Sequence, residues 1–311
     1  MIHQLSGSRL YFSSIILSLA YLLGFDPFGY QLIGLLSVSI LFYFALKLDE
    51  RKAALLFFLF GFFLYCTGLY WLYISIHIVS GAPKVLALLL IALLSVYLSI
   101  FHSIFGFVFV KLHRRISSEW ISLLFVAPSL WIFLEFLRGY FLTGFPWFSL
   151  GYMESGSLIS SWAPIGGIYL VSMVMAMISS GILLIFLKKR LLGSSIIFVL
   201  SISSYILGAV DWTSRSNESS YKVALVQGNI QQDKKWLRSE FENTLTQYAS
   251  SLQGLDGTDL VIWPEVAIPS LKRSIEDYLE YLEIQMTEKD IQMLILGINT
   301  QDQNGQIYNS M

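Results

Sequence analysis

Seven apolar runs set the terms on which this chain can fold. They lie at roughly residues 10–25, 31–47, 53–76, 85–110, 119–137, 164–187 and 191–210. A helix crosses a bilayer's hydrocarbon layer with about 20 apolar residues, or fewer when flanking side chains reach the interface. Backbone N–H and C=O groups find no water there, so each run is expected to close its hydrogen bonds within itself as a helix. "GFDPFGY" (24–30) separates the first two runs and reads as a tight turn; its glycines lack phosphate-loop spacing and follow no strand. Further apolar runs follow the first, which marks it as a helix of the bundle and not a leader to be removed. Charged residues make up only 13% of the chain, about half the usual share of a soluble domain.

The short connections carry an orientation signal. Lys47, Arg51 and Lys52 follow the second run, Lys111, Arg114 and Arg115 the fourth, and Lys188, Lys189 and Arg190 the sixth, while the alternate connections offer Lys84 and Arg138. Basic loops stay on the cytoplasmic side, so the N-terminus is expected inside and residue 211 onward outside. Trp71, Trp147, Trp162 and Trp212 then fall near the outer interface, where an indole has one wet and one apolar side.

The last third is a different kind of sequence. Residues 1–214 hold 12 Lys and Arg against 7 Asp and Glu; residues 215–311 hold 8 against 14. That acidic balance excludes a basic nucleic-acid surface. A polar linker, "DWTSRSNESS" (211–220), divides a transmembrane domain over 1–210 from a soluble domain over 221–311. Strands are expected at 221–229, 259–265 and 292–299, with amphipathic helices at about 236–252 and 270–286. Buried strands alternating with helices predict an α/β sheet whose ligands gather at the strand C-terminal ends.

Glu265 lies at such an end, in "LVIWPEVAIP" (260–269). A carboxylate beside an indole and between two prolines suits a general base tuned by desolvation. From spacing alone, a solvated glutamate capping a helix that begins near Ser270 is the commoner use of such a residue. Cys66 is the chain's one cysteine, set inside the third run as a small buried hydrophobe. No disulfide framework is possible, no His or Cys spacing suggests a metal, and no cofactor is expected. Glu135 and Arg138 stand three apart near the outer end of the fifth run, where one helix face can bring them together as a structural ion pair, with head-group binding as the other reading. His102, inside the fourth run, is expected to hydrogen-bond a neighbouring helix.

Taken in order, "GLYWLYISIH" (68–77), "LTGFPWFSLGY" (142–152), "WAPIGGIYLVS" (162–172), "VALVQGN", "KKW", "VIWPEVAIP" and "LILGIN" resemble the bacterial apolipoprotein N-acyltransferase family over nearly the whole chain. The resemblance implies a polytopic helical domain followed by a nitrilase-like (carbon–nitrogen hydrolase) sandwich on the periplasmic side of the inner membrane. It implies a Glu–Lys–Cys triad in which Glu265 is the glutamate. A cysteine thiolate would take an acyl chain from a phospholipid donor and pass it to the N-terminal amine of a diacylglyceryl apolipoprotein acceptor. Trp236 matches a tryptophan near that active site, and helix-start packing on the sheet is its other reading. Phe145, Pro146 and Trp147 fall in a long aromatic outer loop that shapes an acyl-chain entry or anchors the interface.

Here the chain departs from the family pattern. The triad lysine and cysteine are expected downstream of the third strand, where residues 300–311 supply neither; Lys289 precedes that strand. The chain as given is therefore expected to be catalytically incomplete alone, with both residues and an eighth span beyond residue 311. Two other functions remain open at this level: an inactive membrane scaffold, and a membrane-tethered amidase or nitrilase.

Overall fold

The structure is a computed structural model describing residues 7–116, 118–154, 156–214 and 220–311. Its chain divides into two compact units, Met1–Thr213 and Ser214–Met311. The 211–220 segment straddles that division, and its residues 215–219 lie outside the described residues.

Among the described residues the first unit contains seven long helices: α1 (Gly7–Leu22), α2 (Gln31–Lys47), α3 (Glu50–Gly68), α4 (Lys84–His113), α5 (Ala127–Tyr140), α6 (Ala163–Phe186) and α7 (Arg190–Gly208). Among the described residues five segments are long and apolar enough to cross a membrane: Glu50–Gly68, Lys84–His113, Glu119–Thr143, Leu158–Phe186 and Arg190–Gly208. Tyr11–Leu22 and Gln31–Lys47 are apolar but shorter. The third apolar run does not stay one helix to residue 76; α3 stops at Gly68, and Trp71–Tyr73 leads into a π-turn at Ile74–Val79. Another π-turn, Ser122–Val126, precedes α5, just before Pro128, whose ring carries no N–H for the regular ladder.

Capping and small residues explain why these helices begin and meet where they do. Asp49 caps α3 by accepting a hydrogen bond from Lys52 N at 2.9 Å. The 24–30 turn is closed by Tyr30 N donating to Leu23 O at 2.8 Å, with Gly29 at φ +67°. Between α3 and α4, a methyl group on Gly106 would lie 2.7 Å from Ala53 O; between α6 and α7, one on Gly193 would lie 2.5 Å from Gly181 O. Glycine lets these backbones touch, the usual route to tight packing where no solvent drives association. Phe42, Phe105, Phe109 and Trp131 fill the centre, with Phe105 and Trp131 centroids 5.1 Å apart. The basic connections gather at one end of the bundle. Glu119 lies 4.0 Å from Lys47 and 3.7 Å from Lys189, and Arg114 grips both oxygens of Glu50 at 2.7 and 2.8 Å.

The second unit contains β1 (Val223–Leu225), α8 (Phe241–Ser250), β2 (Leu260–Ile262), β3 (Ile268–Leu271), α9 (Glu276–Glu288), β4 (Met293–Ile295), β5 (Ile298–Gln301) and β6 (Ile307–Ser310). One sheet is parallel throughout, in the order β1-β2-β4; the other runs β3-β5-β6, with β3 parallel and β6 antiparallel to β5. Val261, Trp263, Ile268, Leu282 and Ile298 form its apolar core.

Three sequence expectations are corrected here. The strand expected over 292–299 is two strands in two sheets, parted at Leu296–Gly297. The helix expected from residue 270 begins at Glu276, because 268–271 pairs with β5 as a strand. Trp236 does not open a helix; it ends the turn at 232–236, five residues before Phe241.

Candidate functional site

The second unit presents its candidate site where the parallel sheet ends. Leu260, Val261 and Ile262 form the middle strand, held on one side by β1 and on the other by β4. The ladder continues one step further, with Val226 N donating to Ile262 O at 2.9 Å and Trp263 N to Ile295 O at 2.8 Å. Glu265 follows immediately, at the carboxyl end of the strand, where side chains of an α/β sheet meet ligands.

Packing beneath Glu265 fixes its backbone. Trp263 is buried, its ring 4.8 Å from that of Tyr248 on α8. The Tyr248 hydroxyl lies against Gly228 at the exit of β1, and Gln247 Nε2 donates to Gly228 O at 2.6 Å. Gly297 presses on the other side; a methyl group there would overlap Val266 N and lie 2.7 Å from Pro264 O and 2.8 Å from Glu265 Cα. Val266 takes φ +47°, a left-handed conformation that a β-branched residue adopts only when its surroundings impose it. Lys235 Nζ donates to Glu265 O at 3.3 Å. Asn309 on β6 donates through Nδ2 to Glu265 Oε1.

The helix-cap reading of Glu265 fails, since a strand follows it. The desolvated setting is not found either: Glu265 is exposed. Trp236 is 57% exposed and neighbours Lys235. Sequence reasoning missed Asn309, Lys235 and Gly297 as parts of this site. A glycine interrupting the strand pattern of "LILGIN" signals a close backbone approach; nothing in "IYNS" marks Asn309.

In the first unit, Phe145, Pro146 and Trp147 do come together. The Phe145 and Trp147 rings are 4.8 Å apart, and Trp71 stands 6.4 Å from Trp147. Phe25, Asp26, Pro146, Trp147, Phe148 and Tyr152 line an open groove of about 520 Å³. Its walls are chiefly aromatic, with one carboxylate at the rim. Glu135 and Arg138 are both buried behind this loop, but they do not form the expected ion pair: among the described residues no such contact joins them. Each bonds instead to the loop that carries Trp147. Among the described residues His102 has no hydrogen bond to a neighbouring helix; it packs among the rings of Phe60, Tyr65 and Trp131. It also borders a cavity of about 20 Å³ beside Glu135, room for one water. Among the described residues no three His, Cys, Asp or Glu side chains converge as metal ligands.

Residues 17–181 match the family model described as the apolipoprotein N-acyltransferase N-terminal domain. The chain belongs to the apolipoprotein N-acyltransferase family. Three similar proteins are named apolipoprotein N-acyltransferase. The one from Vibrio cholerae is 33% identical over 290 residues, covering 93% of this chain and 57% of that protein. The one from Methylococcus capsulatus is 31% identical over 294 residues, covering 92% and 57%. The one from Coxiella burnetii is 33% identical over 265 residues, covering 84% and 54%. The chain thus spans just over half the length of these acyltransferase relatives, and both Glu265 and the aromatic loop fall within that part.

Proposed function

We propose that this chain forms the membrane domain (1–210), linker (211–220) and first part (221–311) of a nitrilase-like periplasmic domain of a lipoprotein N-acyltransferase. The observation that carries the reading is the position of Glu265: a carboxylate at the carboxyl end of the central parallel strand, in a member of an acyltransferase family.

The chemistry runs as two acyl transfers. A cysteine thiol, which the resemblance puts in the family's remaining sequence, adds to the sn-1 ester carbonyl of a phospholipid. Its proton passes to the Glu265 carboxylate; the ester C–O bond breaks, the proton goes to the departing alkoxide, and a lysophospholipid leaves. The N-terminal amine of the diacylglyceryl apolipoprotein then attacks the thioester, forming the amide as the C–S bond breaks. Glu265 takes the amine proton and returns it to the thiolate. A lysine, likewise expected elsewhere, stabilises the oxyanion of each tetrahedral intermediate. Phe145, Pro146 and Trp147 receive the acyl chain, and Trp236 packs near the reacting ester.

The seven helices read as seven spans with the N-terminus in the cytoplasm of an inner-membrane protein. The ion pairs at Glu50 and Glu119 support this by collecting the basic connections at one end, as the positive-inside rule requires.

The test uses membranes carrying the protein at its natural length, with a phospholipid donor and a diacylglyceryl peptide. Glu265→Gln is expected to lower thioester formation and transfer by at least 10²-fold, the usual scale for general base catalysis, without changing the amount of folded protein. Undiminished transfer would remove Glu265 from the mechanism. Hydrolysis of soluble amides without lipid transfer would favour the tethered amidase, and donor binding without turnover would favour the scaffold.

A further inference from the structure

The loop carrying Trp147 is built in a conformation that its own residues do not favour. Leu142, Thr143 and Phe148 take φ values of +50°, +73° and +60°, the left-handed region that non-glycine residues occupy at an energetic cost. Gly144, at φ +85°, abuts Gly139 O. Something outside the loop must hold it.

The holding groups are buried side chains of the bundle. Arg138 Nη1 donates to Trp147 O at 2.8 Å and Nη2 to Ser149 Oγ at 2.9 Å, while its other contact is the Tyr65 hydroxyl. Glu135 Oε1 accepts from Leu150 N at 2.8 Å and from Trp131 Nε1 at 2.8 Å. Tyr21 donates its hydroxyl to Phe148 O at 3.0 Å. Ser172 accepts from Gly151 N at 2.8 Å, and Phe145 N donates to Arg138 O at 2.8 Å. Bonds at residues 147, 148 and 149 thus bracket the left-handed Phe148. Its ring fills the space over Gly68, where an added methyl group would come 2.5 Å from Phe148 Cζ, and meets the Phe25 ring edge-on at 5.3 Å.

We propose that Glu135 and Arg138 are positioning residues that clamp the 145–150 loop, so that the groove between Phe25, Pro146, Trp147, Phe148 and Tyr152 stands preformed for a phospholipid acyl chain. The inference rests on the lipid reading of that groove given above. It differs from the ion-pair expectation in its consequences. A direct pair would stabilise α5 alone, whereas two buried polar groups bonded to successive parts of the loop couple the helix to the lipid-facing surface. Burying a polar group is costly unless hydrogen bonds offset it, and Glu135 Oε2 has no partner among the described residues, which leaves the bonds at Oε1 to hold the group. Here the loop's own carbonyl, hydroxyl and amide groups contribute to that offset.

The test compares the wild type with Glu135→Ala, Glu135→Gln, Arg138→Lys and Tyr21→Phe in nanodiscs at the protein's natural length. Hydrogen exchange of the peptide covering 148–151 reads the clamp. Exchange is expected to rise at least tenfold in Glu135→Ala and Arg138→Lys, and about threefold in Tyr21→Phe. Glu135→Gln, which keeps an acceptor for Leu150 N, is expected to stay within threefold of wild type. Tyr21→Phe removes a single hydrogen bond, so it reports even where a charged-site variant fails to fold. Quenching of Trp147 by brominated phospholipid, read against Trp147→Phe, reports the groove. Arg138→Lys is expected to raise KM for the phospholipid about tenfold with kcat within twofold; a merely structural role would lower active protein and leave KM alone. Unchanged exchange in both Glu135→Ala and Arg138→Lys would overturn the clamp. Faster exchange with unchanged quenching and KM would overturn its role in lipid seating. No quenching in the wild type would refute the lipid reading of the groove, while exchange still decides the clamp.

Discussion

Gly297→Ala tests whether backbone contact beneath Glu265 holds the site together. Gly297 is not in the left-handed region, so an alanine there introduces a steric effect and no conformational one. Its methyl group would overlap Val266 N most closely and stand 2.7 Å from Pro264 O, where ordinary contact begins at 3.4 Å, so the two segments must part by at least about 0.7 Å. The neighbouring bond from Trp263 N to Ile295 O measures 2.8 Å; the same displacement carries it to the limit of a useful hydrogen bond. Ile268 N to Gly297 O is already 3.5 Å and has nothing to give. Overpacking costs about 1–3 kcal/mol, and one weakened backbone bond adds about 1 kcal/mol, so about 2–4 kcal/mol of local stability is lost. Hydrogen exchange over residues 257–271 reads this directly, with peptides of the helical unit as internal reference. The rate is expected to rise between about 30-fold and 700-fold, at tenfold per 1.4 kcal/mol. Under the role proposed for Glu265, acyl transfer by the protein at its natural length is expected to fall by about 10–100-fold, since misplacing a reacting group by about 1 Å costs on that order. Gly257→Ala is the control: it lies at φ +63° with open space around it, so it is strained but displaces nothing at the site. An exchange change below threefold in Gly297→Ala would refute the reasoning, as would equal loss of transfer in the control.

Tyr278 of α9 gives a pH-dependent outcome. Burial raises its phenol above the ordinary value; Tyr281 adds to the effect and a backbone hydrogen bond from Ala249 opposes it. Because the folded state favours the protonated phenol, this stability is fully present below about pH 10 and is lost as pH rises through the folded value. Tyr278→Phe is expected to remove that alkaline dependence from urea unfolding of the second unit. It also costs about 1 kcal/mol at neutral pH, through the lost 2.7 Å bond to Leu245 O. In the bundle, Gly106→Val must push α4 away from Ala53 O and is expected to lower stability in detergent by about 1–3 kcal/mol, measured by thermal unfolding. Gly208→Ala, with only ordinary contacts near its position, is expected to leave the midpoint nearly unchanged.

Much of the helical unit is legible from the chain because a span's length and polarity are local properties. The sheets are less so. "IPSLKRS" holds a proline and a serine before basic residues, which reads as helix entry, yet Ile268–Leu271 becomes a strand because β5 lies beside it. That partner is about thirty residues away, and no local propensity reports it. Glu135 and Arg138 show the same division. Their spacing correctly puts both near one buried region, but their hydrogen-bond partners come from residues 147, 149 and 150, and their separation in sequence says nothing of that loop's path.

The position of Glu265 follows from the way the two sheets part. β2 passes to β3 through residues 263–267, and β4 passes to β5 through Leu296–Gly297, so neighbouring strands leave the first sheet at one level and enter the second together. At such a seam the parallel ladder stops, and backbone groups that would pair within it are released to side chains. Lys235 accordingly reaches the Glu265 carbonyl from the β1 side of the site, and Asn309 reaches its carboxylate from the second sheet. Glycine at 297 lets the two crossings touch, and the left-handed Val266 turns the chain out of the first sheet. A carboxylate held in this way has its backbone fixed from both sides and its side chain facing outward. That combination of fixed origin and open reach is what the base role proposed for Glu265 requires.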